Sequence, residues 1–146
     1  SVAIIPDDEL RARFGGARQG LVPGVNVLGY VAALAAYCDG QPWLDELLGY
    51  LEGNRALLCE AVAAMPGVTM APPEATFLGW LDCRSLDLPG GPHRFFLERA
   101  RVAMNDGASF GRGGDGFVRL NFGCCRSTLE GALERMRRAI EAWRAG

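Results

Sequence analysis

One arginine stands where it could bind an anion. Arg119 lies in the run FVRLNF at 117–122, directly after a glycine-rich segment. If this run is a strand, alternation places Arg119 on one face with Phe117 and Asn121. The opposite, apolar face then carries Val118, Leu120 and Phe122. A guanidinium is planar and permanently charged and can donate two parallel hydrogen bonds to a carboxylate, so the pattern suits an anion-binding strand. On local pattern alone, a structural salt bridge remains the alternative.

The glycines before this strand raise a second possibility. Gly111, Gly113 and Gly116 match the dinucleotide fingerprint G-x-G-x-x-G literally. That fingerprint follows a strand and opens a helix whose N-terminus receives the pyrophosphate. This segment instead leads directly into the predicted strand at 117–122. We therefore expect the glycines to form a tight turn with positive φ angles, and we do not expect a nucleotide site.

The other reactive side chains do not predict a metal or hydrolytic centre. The five cysteines lack the paired short spacings of a zinc site, so we expect buried free thiols. They are Cys38, Cys59, Cys83, Cys124 and Cys125. The single histidine, His93, follows residues 90–92 in a predicted turn, with no Cys or Asp arranged beside it in sequence to complete a triad. No metal ligands are predicted.

Composition narrows the class of protein. With 146 residues, 49% of them hydrophobic and 22% charged, the chain can form a globular domain with a core. The net charge is −2 and both signs are mixed along the chain, so the sequence shows no basic stretch that would indicate nucleic-acid binding. No stretch approaches the ~20 apolar residues of a membrane span, and no signal-peptide pattern opens the chain. A cytoplasmic location is expected.

All 15 basic residues are arginine, and the chain contains no lysine. A bias toward arginine can arise from genome composition alone. Its chemical consequence holds in either case. This chain cannot form a Schiff base through a lysine side chain.

The N-terminal pattern predicts three elements. Residues 2–5, VAII, favour a short buried strand ended by Pro6. A short helix is expected after Asp8 through Phe14, closed by the two glycines that follow. The alanine-rich segment at 25–38 is apolar nearly all round, which predicts a helix buried on several sides.

From Trp43 to Met65, apolar residues at helical spacing predict one long helix. After it we expect strands at 68–70 and 76–82, a helix at 93–103, the strand at 117–122 and a final helix. Ser127 and Glu130 predict a capping box at the start of that helix, and Glu134 and Arg138 a pair on its exposed side. The predicted fold is α+β, a long helix followed by a small sheet with helices packed on one side.

Three segments together resemble the class I/II aminotransferase family, fold type I of the pyridoxal-phosphate enzymes. They are AAYCDGQPWLDELLGYLEGNR at 35–55, ATFLGWLDCR at 75–84 and VAMNDGASFGRGGDGFVRLNFGCCRS at 102–127. The branch they resemble contains bifunctional aminotransferases and cystathionine β-lyase-like carbon–sulfur lyases. The resemblance spans the chain but covers only the C-terminal portion of such an enzyme.

The resemblance implies roles for particular positions. Arg119 matches the arginine that binds the substrate's α-carboxylate. The family's cofactor lysine is expected just before Ser1, and the aspartate that pairs with the pyridine nitrogen, with most phosphate-binding residues, further toward the N-terminus. The resemblance therefore implies no catalytic and no cofactor-binding residue in this chain. Residues 1–40 are expected to be the end of the large pyridoxal-phosphate domain and the interdomain segment, and 41–146 the small C-terminal domain.

The implied parent protein is a pyridoxal-phosphate-dependent aminotransferase or carbon–sulfur β-lyase that acts on amino acids as a homodimer, and this chain alone is expected to be inactive. The alternative is a free-standing amino-acid-binding or dimerisation module without catalysis. Neither membrane nor nucleic acid is an expected partner.

Overall fold

The computed structural model describes residues 2–18, 20 and 24–146. The helices are α1 (Asp8–Ala17), α2 (Val27–Asp39), α3 (Gln41–Ala63), α4 (Gly91–Phe95) and α5 (Arg126–Ala145). The strands are β1 (Leu78–Asp82), β2 (Asn105–Asp106) and β3 (Phe117–Asn121). The chain divides into two compact units, Ser1–Trp43 and Leu44–Gly146. None of the described helices is both long and apolar enough to cross a membrane.

The larger unit contains an antiparallel sheet in the order β1-β3-β2. On one face, Leu81, Val118 and Leu120 are buried against apolar side chains of the helices. From α3 come Leu58 and Val62, from α4 and the turn after it Phe95 and Phe96, and from α5 Leu129, Leu133, Met136 and Ile140. These side chains form one core, which confirms the predicted α+β fold with helices on one side of a small sheet.

The N-terminal segments differ from expectation. Residues 2–5 form no strand and no described residue pairs with them, so the predicted buried strand is wrong, and Ile4 is 87% exposed. Helix α1 continues through both glycines to Ala17. Helix α2 exists as predicted but has no buried residue. An apolar helix is buried only where other elements cover it.

Helix α3 confirms the long helix, but its apolar stripe is buried only in the second half. Asn54, Leu58 and Val62 are buried, whereas Trp43 and Tyr50 are exposed. Beyond α3, the strand expected at 68–70 is reduced to a single antiparallel bridge between Thr69 and Asp82. The aromatic half of α3 therefore does not contribute to this core.

The helix expected at 93–103 is shorter. Helix α4 continues as one π-helical turn, Phe96–Ala100, and Arg101 ends it in the left-handed region at φ 55°. Its N–H bonds back to the Phe96 carbonyl, and the Val102 N–H bonds to the same oxygen at 3.1 Å. This compact end turns the chain toward β2 and leaves Ala103 outside the helix.

The predicted capping box of α5 is wrong. The N-cap is Cys125, without a side-chain cap, and Ser127 lies inside the first turn. The Arg126 N–H instead bonds to the Tyr50 hydroxyl at 2.6 Å, so a tertiary contact satisfies this helix end. Glu134 forms its ion pair with Arg137 at 2.7 Å, three residues on, and not with the expected Arg138.

Candidate functional site

Arg119 lies at the centre of the sheet, on the face opposite the core. Its neighbours Val118 and Leu120 are buried, whereas Arg119 is half-buried, which confirms the two faces predicted for β3. Register places Trp80 of β1 and Asn105 of β2 directly across from Arg119 on either side. The three side chains form one row on the outer face.

The guanidinium of Arg119 is held on one edge and one plane. Its Nε and Nη2 donate to Asn105 Oδ1 at 3.3 and 3.0 Å. Its Cζ lies 4.6 Å from the centre of the Phe110 ring. No carboxylate of the described residues lies within ion-pair distance, so the structural salt bridge is not found there. Its charge is available to an external anion.

Three aromatic rings lie on the same face of the sheet as this cation. Trp80 stacks on Phe117 with centroids 5.5 Å apart and meets Phe110 edge-to-face at 5.6 Å. We call these three rings the aromatic patch. They place apolar surface beside Arg119, while Trp80 and Phe110 are themselves exposed.

A second arginine on this face differs in its charge balance. The Arg84 guanidinium lies 4.8 Å from the Phe117 ring centre and donates to both carboxylate oxygens of Asp82, at 3.0 and 2.7 Å. These bonds hold the pKa of the Asp82 carboxyl below its usual range. The positive charge of Arg84 is thus already compensated by the Asp82 carboxylate.

The glycine-rich loop positions Phe110 and β3. Gly111, Gly113 and Gly116 have φ angles of 111°, 90° and 81°, which confirms the predicted turn with positive φ. A Cβ at Gly114 would lie 2.0 Å from the Gly107 carbonyl oxygen, so the two backbones pack where no side chain fits. The loop leads into β3 and opens no helix, so the context of a dinucleotide fingerprint is lacking.

Asn54 ties the end of β3 to α3. Its Nδ2 donates to the carbonyls of Phe122 and Cys124, both at 2.9 Å, and its Oδ1 accepts from Arg126 Nε at 3.2 Å. Asn54 is fully buried. No motif in the sequence identified Asn54, although a polar residue on the apolar stripe between Leu51 and Leu58 is the available signal.

The thiols differ widely in exposure. Cys83 is buried, Cys59 and Cys124 are half-buried, and Cys38 and Cys125 are exposed, so the expectation of buried thiols is wrong for the last two. Burial, with a smaller effect of the Asp82 charge, raises the pKa of the Cys83 thiol from 9.0 to about 12. The described residues contain no group of three or more His, Cys, Asp or Glu that could hold a metal ion.

These thiols make a testable pair. In the native chain at pH 8, we expect Ellman's reagent to modify Cys125 and to leave Cys83 unmodified until denaturant is added. The Cys83 thiol has a higher pKa in the folded chain than in the unfolded chain, so it stabilises the native state fully only below about pH 9. This stabilisation is lost as the pH rises from about 9 to about 12. Mass spectrometry of the labelled peptides measures the first effect. Rapid native labelling of Cys83 would contradict it.

The sequence did not predict three of the residues around Arg119. Asn105 and Phe110 lie within the continuous segment 105–110 and Trp80 lies on β1, and only the sheet register and the folded loop bring them to Arg119. The glycines that follow Phe110 predicted a turn but not its direction.

Comparison with known proteins identifies the family. The model of aminotransferase class I and II matches residues 14–136. The chain belongs to this family. It is 40% identical to cystathionine β-lyase PatB of Bacillus subtilis (strain 168), over 96% of this chain and 37% of that protein.

Solved structures of the family agree. The crystal structure of OvoB matches at 50% identity and a TM-score of 0.88, over 94% of this chain and 35% of that one. A putative pyridoxal-phosphate-dependent β-cystathionase from Corynebacterium diphtheriae matches at 39% and 0.85, over 94% and 37%. The chain thus spans about a third of the length of these relatives.

The family uses pyridoxal phosphate, and the residues of this chain do not fit a covalently held cofactor. Attachment needs a lysine amine, and none of the 146 residues is lysine. Any role of this chain in substrate binding therefore depends on its other polar groups. Among them, Arg119 has surroundings suited to binding an anion.

Proposed function

We propose that this chain is the C-terminal part of a pyridoxal-phosphate-dependent aminotransferase or carbon–sulfur β-lyase, and that Arg119 binds the α-carboxylate of its amino-acid substrate. The observation that carries the proposal is the uncompensated Arg119 guanidinium, held by Asn105 and Phe110 on the outer face of the sheet. The names of the relatives support the class of reaction.

Arg119 would act through binding and orientation. Two parallel hydrogen bonds to a carboxylate fix both its position and its plane. Phe110 covers one plane of the guanidinium, so the carboxylate would approach from its open edge. Because a misplacement of about 1 Å can lower a rate about 100-fold, a rigid carboxylate site contributes to the reaction without taking part in proton transfer.

We propose that the two parts of this chain belong to different domains of the parent enzyme. Residues 1–40 would end the large cofactor domain and include the interdomain segment, and 41–146 would form the small domain. The lysine that carries the cofactor would lie outside residues 1–146. A homodimer and a cytoplasmic location remain predictions from the sequence.

Borohydride reduction of the full-length parent with bound cofactor tests this division. We expect reduction to fix the cofactor covalently on a lysine outside residues 1–146, because this segment has none. Peptide mapping by mass spectrometry identifies the modified residue. A cofactor-modified side chain within residues 1–146 would contradict the proposal. Assays of the parent with L-cystathionine and with an amino acid plus a 2-oxo acid distinguish lyase from aminotransferase, and activity in neither contradicts both.

The alternative function, a free-standing amino-acid-binding module, makes a different prediction. It requires the chain to bind an amino acid without cofactor, measurable by calorimetry. The enzyme proposal expects no such binding, because Arg119 alone holds only the carboxylate.

A further inference from the structure

The Arg119 guanidinium has two edges that could each receive a carboxylate. One consists of Nε and Nη2, the other of Nη1 and Nη2. Asn105 Oδ1 accepts from both atoms of the first edge, at 3.3 and 3.0 Å. Among the described residues, no acceptor lies on the second edge. Phe110 covers one plane of the same group at 4.6 Å.

We propose that Asn105 is a positioning residue that occupies the Nε–Nη2 edge of Arg119 and thereby commits the substrate carboxylate to the Nη1–Nη2 end. This rests on the proposed function of Arg119. A neutral amide oxygen suits the role, because it accepts two hydrogen bonds and leaves the positive charge of the guanidinium uncompensated. A carboxylate at position 105 would accept the same bonds and compensate that charge.

The backbone favours this arrangement. Asn105 and Arg119 are cross-strand partners in the β2–β3 ladder, so their side chains leave the sheet side by side. The next residue, Asp106, caps the turn that carries Phe110 by accepting from the Ala108 N–H at 3.2 Å. Two consecutive residues thus place both groups that hold Arg119.

Two substitutions in the full-length parent test the proposal. Asn105→Ala should lower kcat/KM for the amino acid about tenfold, mainly through KM, with cofactor loading unchanged, because a hydrogen bond to a charged group is lost. Asn105→Asp should reduce the preference for an amino acid over its α-amide about tenfold, because the charge of Arg119 is then compensated. A purely structural role for Asn105 would not move this preference.

Ser109→Ala is the matched control. It removes a 2.6 Å hydrogen bond, from Ser109 Oγ to the Asp106 carbonyl, in the same turn without touching Arg119. We expect kcat/KM to stay within about twofold. Calorimetric titration with a non-reactive carboxylic acid analogue should repeat the order of the variants as changes in Kd.

A crystal structure of the parent with a bound amino acid gives the direct readout. We expect the carboxylate on Nη1 and Nη2, with Asn105 still on Nε. A carboxylate on Nε and Nη2 with Asn105 displaced would overturn the proposal. So would Asn105 variants that match Ser109→Ala while Arg119→Ala raises KM, a result that leaves the proposed function standing. An unchanged KM in Arg119→Ala would instead refute the proposed function itself.

Discussion

Replacing Arg119 with alanine in the full-length enzyme is expected to lower kcat/KM for amino-acid substrates about 100-fold, mainly by raising KM, while the cofactor still binds. The substitution removes both hydrogen bonds to the carboxylate and the charge that attracts it. Arg119→Lys keeps the charge and loses the planar fork, so we expect an intermediate loss. Steady-state kinetics and cofactor absorbance measure the two effects.

Arg84→Ala is the matched control for this experiment. Arg84 lies on the same face and also covers an aromatic ring, but Asp82 already compensates its charge. We expect the Arg84→Ala substitution to change KM little, because the charge of Arg84 is already compensated. The fold should also tolerate it, since exposed ion pairs contribute about 0–1 kcal/mol to stability. If Arg119→Ala leaves KM unchanged, Arg119 does not bind the substrate carboxylate.

Removing the side chain of Asn54 is expected to lower the free energy of unfolding by about 3 kcal/mol. Asn54→Ala leaves the Phe122 and Cys124 carbonyls without their donor and opens a space in a fully buried position. Asn54→Leu has the same number of side-chain heavy atoms but cannot form the hydrogen bonds, so comparing it with Asn54→Ala separates the polar contribution from the cavity. Urea denaturation followed by circular dichroism measures both.

The neighbouring residue provides the control. Arg55 lies on the same helix and pairs with Glu52 at 2.6 Å on the surface. Arg55→Ala should cost less than about 1 kcal/mol, because exposed ion pairs contribute little. An Asn54→Leu variant as stable as the wild type would show that the network does not stabilise the β3–α5 connection.

Local patterns predicted the elements around Arg119 well. The alternation in FVRLNF places Arg119 opposite Val118 and Leu120 because successive side chains of a strand point to opposite faces. The glycines of the loop adopt the predicted positive φ angles because residues with a Cβ resist that region. Both are properties of the chain over a few residues.

Predictions that depended on tertiary partners were less successful. The capping box at Ser127 is wrong because Tyr50, far away in sequence, satisfies the start of α5. The strand at 2–5 is wrong because a strand forms only with a pairing partner, and no described residue supplies one. The burial expected for α2 is missing for a similar reason, since apolarity alone does not cover a helix.

By itself, the sequence determined the α+β order of elements, the outward face of Arg119 and the absence of any lysine to hold the cofactor, because each follows from residue type or short-range periodicity. Only the tertiary structure decided that Arg119 has no carboxylate partner among the described residues and that Asn105 and Phe110 hold its guanidinium. These contacts join strands and loops through sheet register and backbone packing, which depend on the whole fold and not on any one segment.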